Sequence, residues 1–263
     1  HGRFRVTVTA AKYNDGLLLD PGDAAQGTDG AGAVVRRDPA SRHSVTIKEA
    51  GIYQVDLHEA TLGELPLADS SRLGDGLVGS WSFDGDIRGH MEGEPQLVDS
   101  PFGKAVSLDG DYGSLTVPRS DTMNVADGDF TVAAWIHPKQ LKRAGIAARG
   151  AYEWTHGWYL ELAGNKGDFR IDTAGPDNES NGAVTSPQGV IRADTWQHVA
   201  AIVRRHGETR LYVNGYPVAK GEIGPANLDN PEINLHLGSV PEVEQFRGEL
   251  DEVRIYSRAL NEA

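Results

Sequence analysis

The stretch TWQHVAAIVRRHGETRLYVNGYPVAKG, Thr195 to Gly221, decides the fold. Val199, Ala201 and Val203 recur at every second position, and Leu211 and Val213 do so again beyond Arg205–Glu208. A period of two puts alternate side chains on opposite faces of a pleated strand. Asn214-Gly215 then supplies the pair that a type I′ hairpin turn needs, because both central residues adopt positive φ. The segment therefore predicts three consecutive antiparallel strands.

The same rhythm extends outward in both directions. Strands are expected at Leu77–Phe83, Ala105–Leu108, Ser114–Val117, Phe130–His137, Gly145–Ala148, Trp158–Leu162, Phe169–Thr173, His198–Arg204, Thr209–Val213, Asn234–Leu237 and Leu250–Tyr256. Helical periodicity is almost absent, and the 32 glycines and 13 prolines supply turns. Many short strands with turn residues between them imply an all-β sandwich of two packed antiparallel sheets. Residues 1–60 read as a separate small β module. It carries the alternating RFRVTVTA and a hairpin with Val45 and Ile47 on one arm and Ile52–Leu57 on the other. Residues 61–75, with Pro66 and a polar run, read as a linker to a domain at 76–263.

Composition narrows the function. A net charge of −13 opposes nucleic acid and anionic membranes, since phosphate binding needs a basic surface. No run approaches the ~18 apolar residues of a membrane-spanning helix. With no cysteine, disulfides and thiolate metal sites are excluded. Both ends, His1-Gly2 and Asn261–Ala263, look cut, so a processed form or a piece of a larger chain is expected. His1 could chelate copper with His43 or His58, but nothing around it resembles a copper oxygenase, and a processing remnant is the simpler reading.

Four ordered segments carry a resemblance. LVGSWSFDGD (77–86), DFTVAAWIHP (129–138), the Thr195–Gly221 stretch and FRGELDEVRIYSRALNEA (246–263) together resemble the LamG-like jelly-roll domains of the concanavalin A-like lectin/glucanase superfamily. In that frame Trp135, Trp196, Val199, Ala201, Val203, Leu211 and Val213 are expected in the core. Simple alternation on LDEVRIY puts Asp251 on one face with Val253 and Ile255, where a lone carboxylate would be costly.

The resemblance implies a structural Ca2+ between the opening acidic turn and the closing strand, held by Asp84, Asp86 and Asp251. Hard Ca2+ takes oxygen ligands, and carboxylates in Gly-rich turns suit it. Alternatively, Asp84 caps a turn and Asp251 pairs with Arg254 or Arg258. Asp109 and Asp111 of LDGDYGS form a second acidic turn, read as part of that site or as an ordinary hairpin.

RGAYEWTHGWYLEL (149–162) supplies the ligand candidates. Trp158 and Leu160 belong to a core face, with Tyr159 and Glu161 pointing the other way. Tyr152, Trp154 and His156 precede the strand in a loop, and Asp177 and Asn178 of GPDNESNGA are candidate neighbours. A flat ring flanked by polar groups suits a pyranose; packing of Trp154 over a sheet edge is the alternative. The Glu-x-Asp-x-x-Glu run of the superfamily's glucanases does not occur, so no catalytic residue is assigned. The expected role is a non-catalytic binding module of a secreted, periplasmic or cell-surface bacterial protein with other domains. Its ligand is a glycan, neutral rather than anionic. A structural or protein-interaction domain is the alternative, and a glycan-active enzyme fragment the second.

Overall fold

All eleven strands expected between Leu77 and Tyr256 form in the computed structural model. The structure describes residues 74–85, 89–150, 155–230, 232–241 and 244–260, together with the strand backbones at 5–10, 27–28, 32–33 and 51–56. The chain divides into two compact units, His1–Asp69 and Ser70–Ala263. In the first, β1 (Arg5–Ala10) pairs antiparallel with β4 (Gly51–Asp56), and β2 (Gly27–Thr28) with β3 (Gly32–Ala33). The expected Val45/Ile47 arm and most of the 61–75 linker lie outside the described residues.

The second unit opens with β5 (Leu77–Trp81), β6 (His90–Glu92), β7 (Gln96–Ser100), β8 (Gly103–Asp109) and β9 (Ser114–Val117). It continues through β10 (Phe130–Pro138), β11 (Ala144–Arg149), β12 (Gly157–Leu162), β13 (Phe169–Ala174) and β14 (Ser180–Thr185). The strands β15 (Gln197–Val203), β16 (Thr209–Val213), β17 (Tyr216–Gly221) and β18 (Leu235–Leu237) follow. Short β19 (Ser239–Val240) and β20 (Glu244–Gln245) precede the closing β21 (Arg247–Tyr256).

Two antiparallel sheets face each other. One runs β17-β16-β15-β10-β21-β8-β7, with β5 also on β21; the other runs β14-β13-β12-β11-β18-β9-β6. This is the jelly-roll sandwich that the strand pattern and the resemblance lead us to expect. The core lies between the sheets. Phe130, Val132, Ala134 and Ile136 of β10 meet Trp158, Leu160 and Leu162 of β12 there, with Leu115, Leu235 and Leu237. Phe130 and Trp158 pack with ring centroids 5.7 Å apart. Among the described residues no helix is long and apolar enough to cross a membrane.

Two expectations about facing fail, for one reason each. Trp135 lies one residue out of phase with Val132, Ala134 and Ile136. It therefore sits half-buried on the outer face of the eight-stranded sheet, and Trp196, just before β15, joins it there. On β21, simple alternation is broken at Glu252, whose φ is +48°. This bulge brings Leu250, Val253 and Ile255 all into the core. Asp251 is left opposite Trp135, on the outer face.

Candidate functional site

Four features could carry function: a loop cluster, an acidic pair, a charged network and an open pocket. Tyr152 and Trp154 lie outside the described residues, as do Asp86, His1, His43 and His58. The structure does bring His156 and Asn178 together. The His156 N–H donates to Asn178 Oδ1 at 2.9 Å, and its ring Nε2 meets the Asn227 carbonyl at 2.8 Å. Asn178 tolerates φ +59° at the tip of the β13–β14 turn, where an Asn is at ease. Asp177 is exposed in the same turn. His156 and Asn178 thus fasten the base of the loop that carries Trp154.

The acidic pair is gathered by the short turn between β7 and β8. Ser100 Oγ donates to Asp251 Oδ2 at 2.6 Å, and the Lys104 N–H donates to Asp84 Oδ1 at 2.6 Å. Gly103 permits this closure: its φ is +133°, and a Cβ there would fall 2.0 Å from Asp84 Oδ1. Asp251 is 1% exposed. Burial pushes its carboxyl upward, the Ser100 hydroxyl and the Glu252 N–H oppose this, and the charges of Glu252 and Asp84 add to the rise. Neither alternative arginine pairs with Asp251: Arg254 binds Glu252, and Arg258 binds the Asp75 carbonyl at 2.7 Å. An all-oxygen set with mutually repelling carboxylates fits a hard cation in chemistry. Among the described residues no group of three or more His, Asp or Glu is assembled as a metal centre.

The same turn carries Phe102, which is 39% exposed. Its ring lies 4.2 Å from Trp135 and 5.9 Å from Trp196 between centroids. His137 stacks on Trp196 at 5.2 Å. The acidic turn and the displaced tryptophans therefore form one assembly.

On the outer face of the seven-stranded sheet, one cross-strand row runs through all seven strands. Its members are His90, Thr116, His236, Ala148, Tyr159, Asp172 and Ala183. The middle of that face is sealed. Glu161, 1% exposed, accepts from Arg170 Nε at 2.5 Å and from Arg143 Nη2 at 3.3 Å. Arg170 also reaches Asp172 at 3.3 Å. Tyr159 packs with Ala148 and Val240 and donates to the Thr155 carbonyl at 2.5 Å. Burial pushes the Tyr159 hydroxyl up to about 12 and raises Asp172, against the pull of Arg170. Two carboxylates, Glu161 and Asp172, thus lie on neighbouring strands of this face. They are buried under side chains rather than set in an open cleft.

The end of the row is open. A pocket of about 390 Å³ is lined by Glu92, Asp111, Tyr112, Ser114, His236 and Gln245, among others. Asp109 builds its rim. One carboxylate oxygen accepts the N–H groups of Asp111 (2.9 Å), Tyr112 (3.2 Å) and Gly113 (3.2 Å). Those bonds hold the Asp109 carboxyl below the usual range, and they leave Tyr112 80% exposed beside Asp111. The LDGDYGS turn joins β8 and β9, which belong to opposite sheets, so it does not close a hairpin. Sequence spacing does not reveal the pocket, because its residues come from four separate parts of the chain.

The profile described as the concanavalin A-like lectin/glucanases superfamily matches residues 109–263, more than half the chain. The chain belongs to this superfamily. Adhesion G-protein coupled receptor V1 of Danio rerio is 26% identical over 159 residues, which are 58% of this chain but 2% of the receptor. The binding domain of Paraclostridial Mosquitocidal Protein 1 superposes with a TM-score of 0.57 at 19% identity, covering 72% of this chain and 50% of that one. Domain 4 of AbnA, a GH43 extracellular arabinanase from Geobacillus stearothermophilus solved with arabinotriose, gives 0.56 at 21% identity. That match covers 71% of this chain and 94% of the arabinanase domain. At these identities the structural likeness is one of fold.

Proposed function

We propose that this superfamily member is a non-catalytic carbohydrate-binding module of an exported or cell-surface protein with further domains. One observation carries the reading: the open polar pocket at the end of the seven-stranded sheet, with Tyr112 standing exposed at its rim. A ring face for a pyranose beside convergent polar groups is what sugar recognition requires. The arabinotriose bound by a domain of the same fold supports it. Trp154, with Tyr152 and the fastened His156–Asn178 pair, is the rival platform within the same reading.

We further propose that a structural Ca2+ is held by Asp84 and Asp251, with Asp86 from the same opening turn. Bound there, the cation would neutralise carboxylates that otherwise repel each other. The protein's own part is to position the pair, through Ser100 and the Lys104 backbone.

A protein-interaction role is the second reading. The outer aromatic cluster of Phe102, Trp135 and Trp196 favours it, since large rings concentrate at interfaces. A glycan array probed with wild type, Tyr112→Ala and Trp154→Ala, each with and without Ca2+, separates these readings. Signal lost only in Tyr112→Ala assigns the pocket, and signal lost only in Trp154→Ala assigns the loop. No glycan bound by any folded form rejects the carbohydrate reading in favour of a protein partner.

A further inference from the structure

The pocket beside Tyr112 has an unusual balance of hydrogen-bonding groups, and the balance points to its ligand. Glu92 and Asp111 line it as carboxylates, which accept hydrogen bonds and cannot donate them when ionised. The Thr116 hydroxyl gives its only hydrogen to Glu92 Oε1 at 2.8 Å. Thr116 Oγ1 also lies 3.3 Å from His236 Nδ1 and, its hydrogen being used, can only accept from that nitrogen. His236 Nδ1 therefore carries a hydrogen. Burial depresses the ring's pKa despite Glu92, which favours the neutral ring. Gln245 also lines the wall. The Ser114 and Ser239 hydroxyls, the Tyr112 hydroxyl and the Gln245 amide can serve both roles. Lys142 is tied to the Gly110 carbonyl at 3.1 Å and does not line the pocket.

The walls thus present two carboxylates and further acceptors, and among the described residues no Lys or Arg lines them. A neutral hydroxyl would satisfy one or two of these groups. An ammonium satisfies more: it brings three donors and a positive charge, and it can lie against the Tyr112 ring face. The rim is built to hold this arrangement. Asp109 fixes Asp111 and Tyr112 through three backbone N–H bonds. Gly93, at φ +75°, lets its strand end approach the Tyr112 backbone, where a Cβ would lie 2.8 Å away.

Resting on the carbohydrate-binding reading, we infer that this pocket recognises an amino sugar with a free, protonated amine. Glu92 and Asp111 receive the ammonium, and Tyr112 covers the ring. The test is calorimetric titration of the whole chain with a glucosamine tetrasaccharide and, in parallel, with its fully N-acetylated counterpart. Acetylation removes the charge and two donors but keeps the ring. The free-amine form should bind at least about tenfold more tightly, the weight of one desolvated cation–π or ion-pair contact. Asp111→Asn and Tyr112→Ala should each weaken it by a similar factor with unchanged Tm, and binding should fall as salt rises. Equal affinity for the two tetrasaccharides overturns the inference while leaving the carbohydrate reading intact. So does glycan binding elsewhere that neither variant affects. Equally tight binding of a lysine-rich peptide also overturns it, because the site would then read any amine. Absence of binding to every glycan removes the carbohydrate reading itself.

Discussion

The middle and the end of the seven-stranded sheet's outer face are built on the same strands, yet they do opposite things. At Tyr159, Glu161 and Asp172 the side chains pair among themselves, and the Val240 segment packs against Tyr159. At Glu92, Asp111 and His236 the acceptors stay open to a pocket. One cross-strand row passes from one to the other, through His236, Ala148 and Tyr159. The difference lies in the supply of cations. Arg143 and Arg170 pair with the carboxylates of the middle from within, and among the described residues no Lys or Arg lines the pocket. A fold that hosts enzymes, lectins and interaction domains alike is thus specialised by which acceptors its own side chains leave unpaired.

The largest expected effect comes from breaking the sealed middle. Glu161→Ala removes the buried carboxylate shared by the part-buried Arg143 and Arg170. It should cost about 3 kcal/mol, or roughly 6–12 °C in Tm. Denaturant unfolding checks this. A loss under about 1 kcal/mol would mean that the middle is as wet as the end, and the contrast would collapse.

Calcium tests the opposite sheet, where another carboxylate is buried without an arginine. Chelation should lower Tm and Ca2+ should restore it, by about 2.7 kcal/mol at a hundredfold excess over Kd. Asp251→Asn should abolish that dependence. Burial raises the Asp251 pKa, so without metal the ionised form is a cost at neutral pH. Under chelation the variant should therefore match or exceed wild type, and with Ca2+ it should fall below it. Since Ser100 and Phe102 share the turn, chelation should also red-shift the emission of Trp135 and Trp196. No Tm shift in a metal-free preparation given Ca2+ would remove the site.

How much of this was legible follows from what a period of two can encode. It marks strands well: Ser114–Val117 and Thr209–Val213 have the bounds read from the sequence. It fails where the phase shifts. The bulge at Glu252 was invisible, because a non-glycine residue at positive φ leaves no compositional trace, and with it went the facing of Asp251. The frame that places Trp135 in the core overlooks its parity, since Ala134 and Ile136 on either side of it point inward. Short polar strands such as β6 and β14 lack apolar alternation and were missed. The pocket unites Glu92, Asp111, His236 and Gln245 from separate strands and turns, so no local spacing announced it. The LDGDYGS turn was noticed, but only the hydrogen bonds of Asp109 assign it a role.

A gentler probe of the same contrast is pH. The folded-state pKa of Asp172 is raised, chiefly by burial, so the folded protein holds that proton more tightly than the unfolded chain. Its stabilising contribution is full below the ordinary aspartate value of 3.8 and is lost as pH rises through the folded pKa. Asp172→Asn should therefore raise Tm at pH 7, with a gain that shrinks as pH falls towards 3.8. A loss at pH 7 would mean that the pairing with Arg170 outweighs desolvation.

The smallest effect on stability belongs to the open end and is the most informative for function. Tyr112 is 80% exposed, so Tyr112→Ala should change stability by no more than about 0.5 kcal/mol. The turn that presents Tyr112 is held by three backbone N–H bonds to Asp109, so removing the ring leaves that turn intact. Its removal should weaken pocket binding by about tenfold while the sealed middle keeps its unfolding behaviour. If Tyr112→Ala instead lowered Tm by several degrees, the ring would be a packing element. The open end of the row would then differ from its middle only in degree.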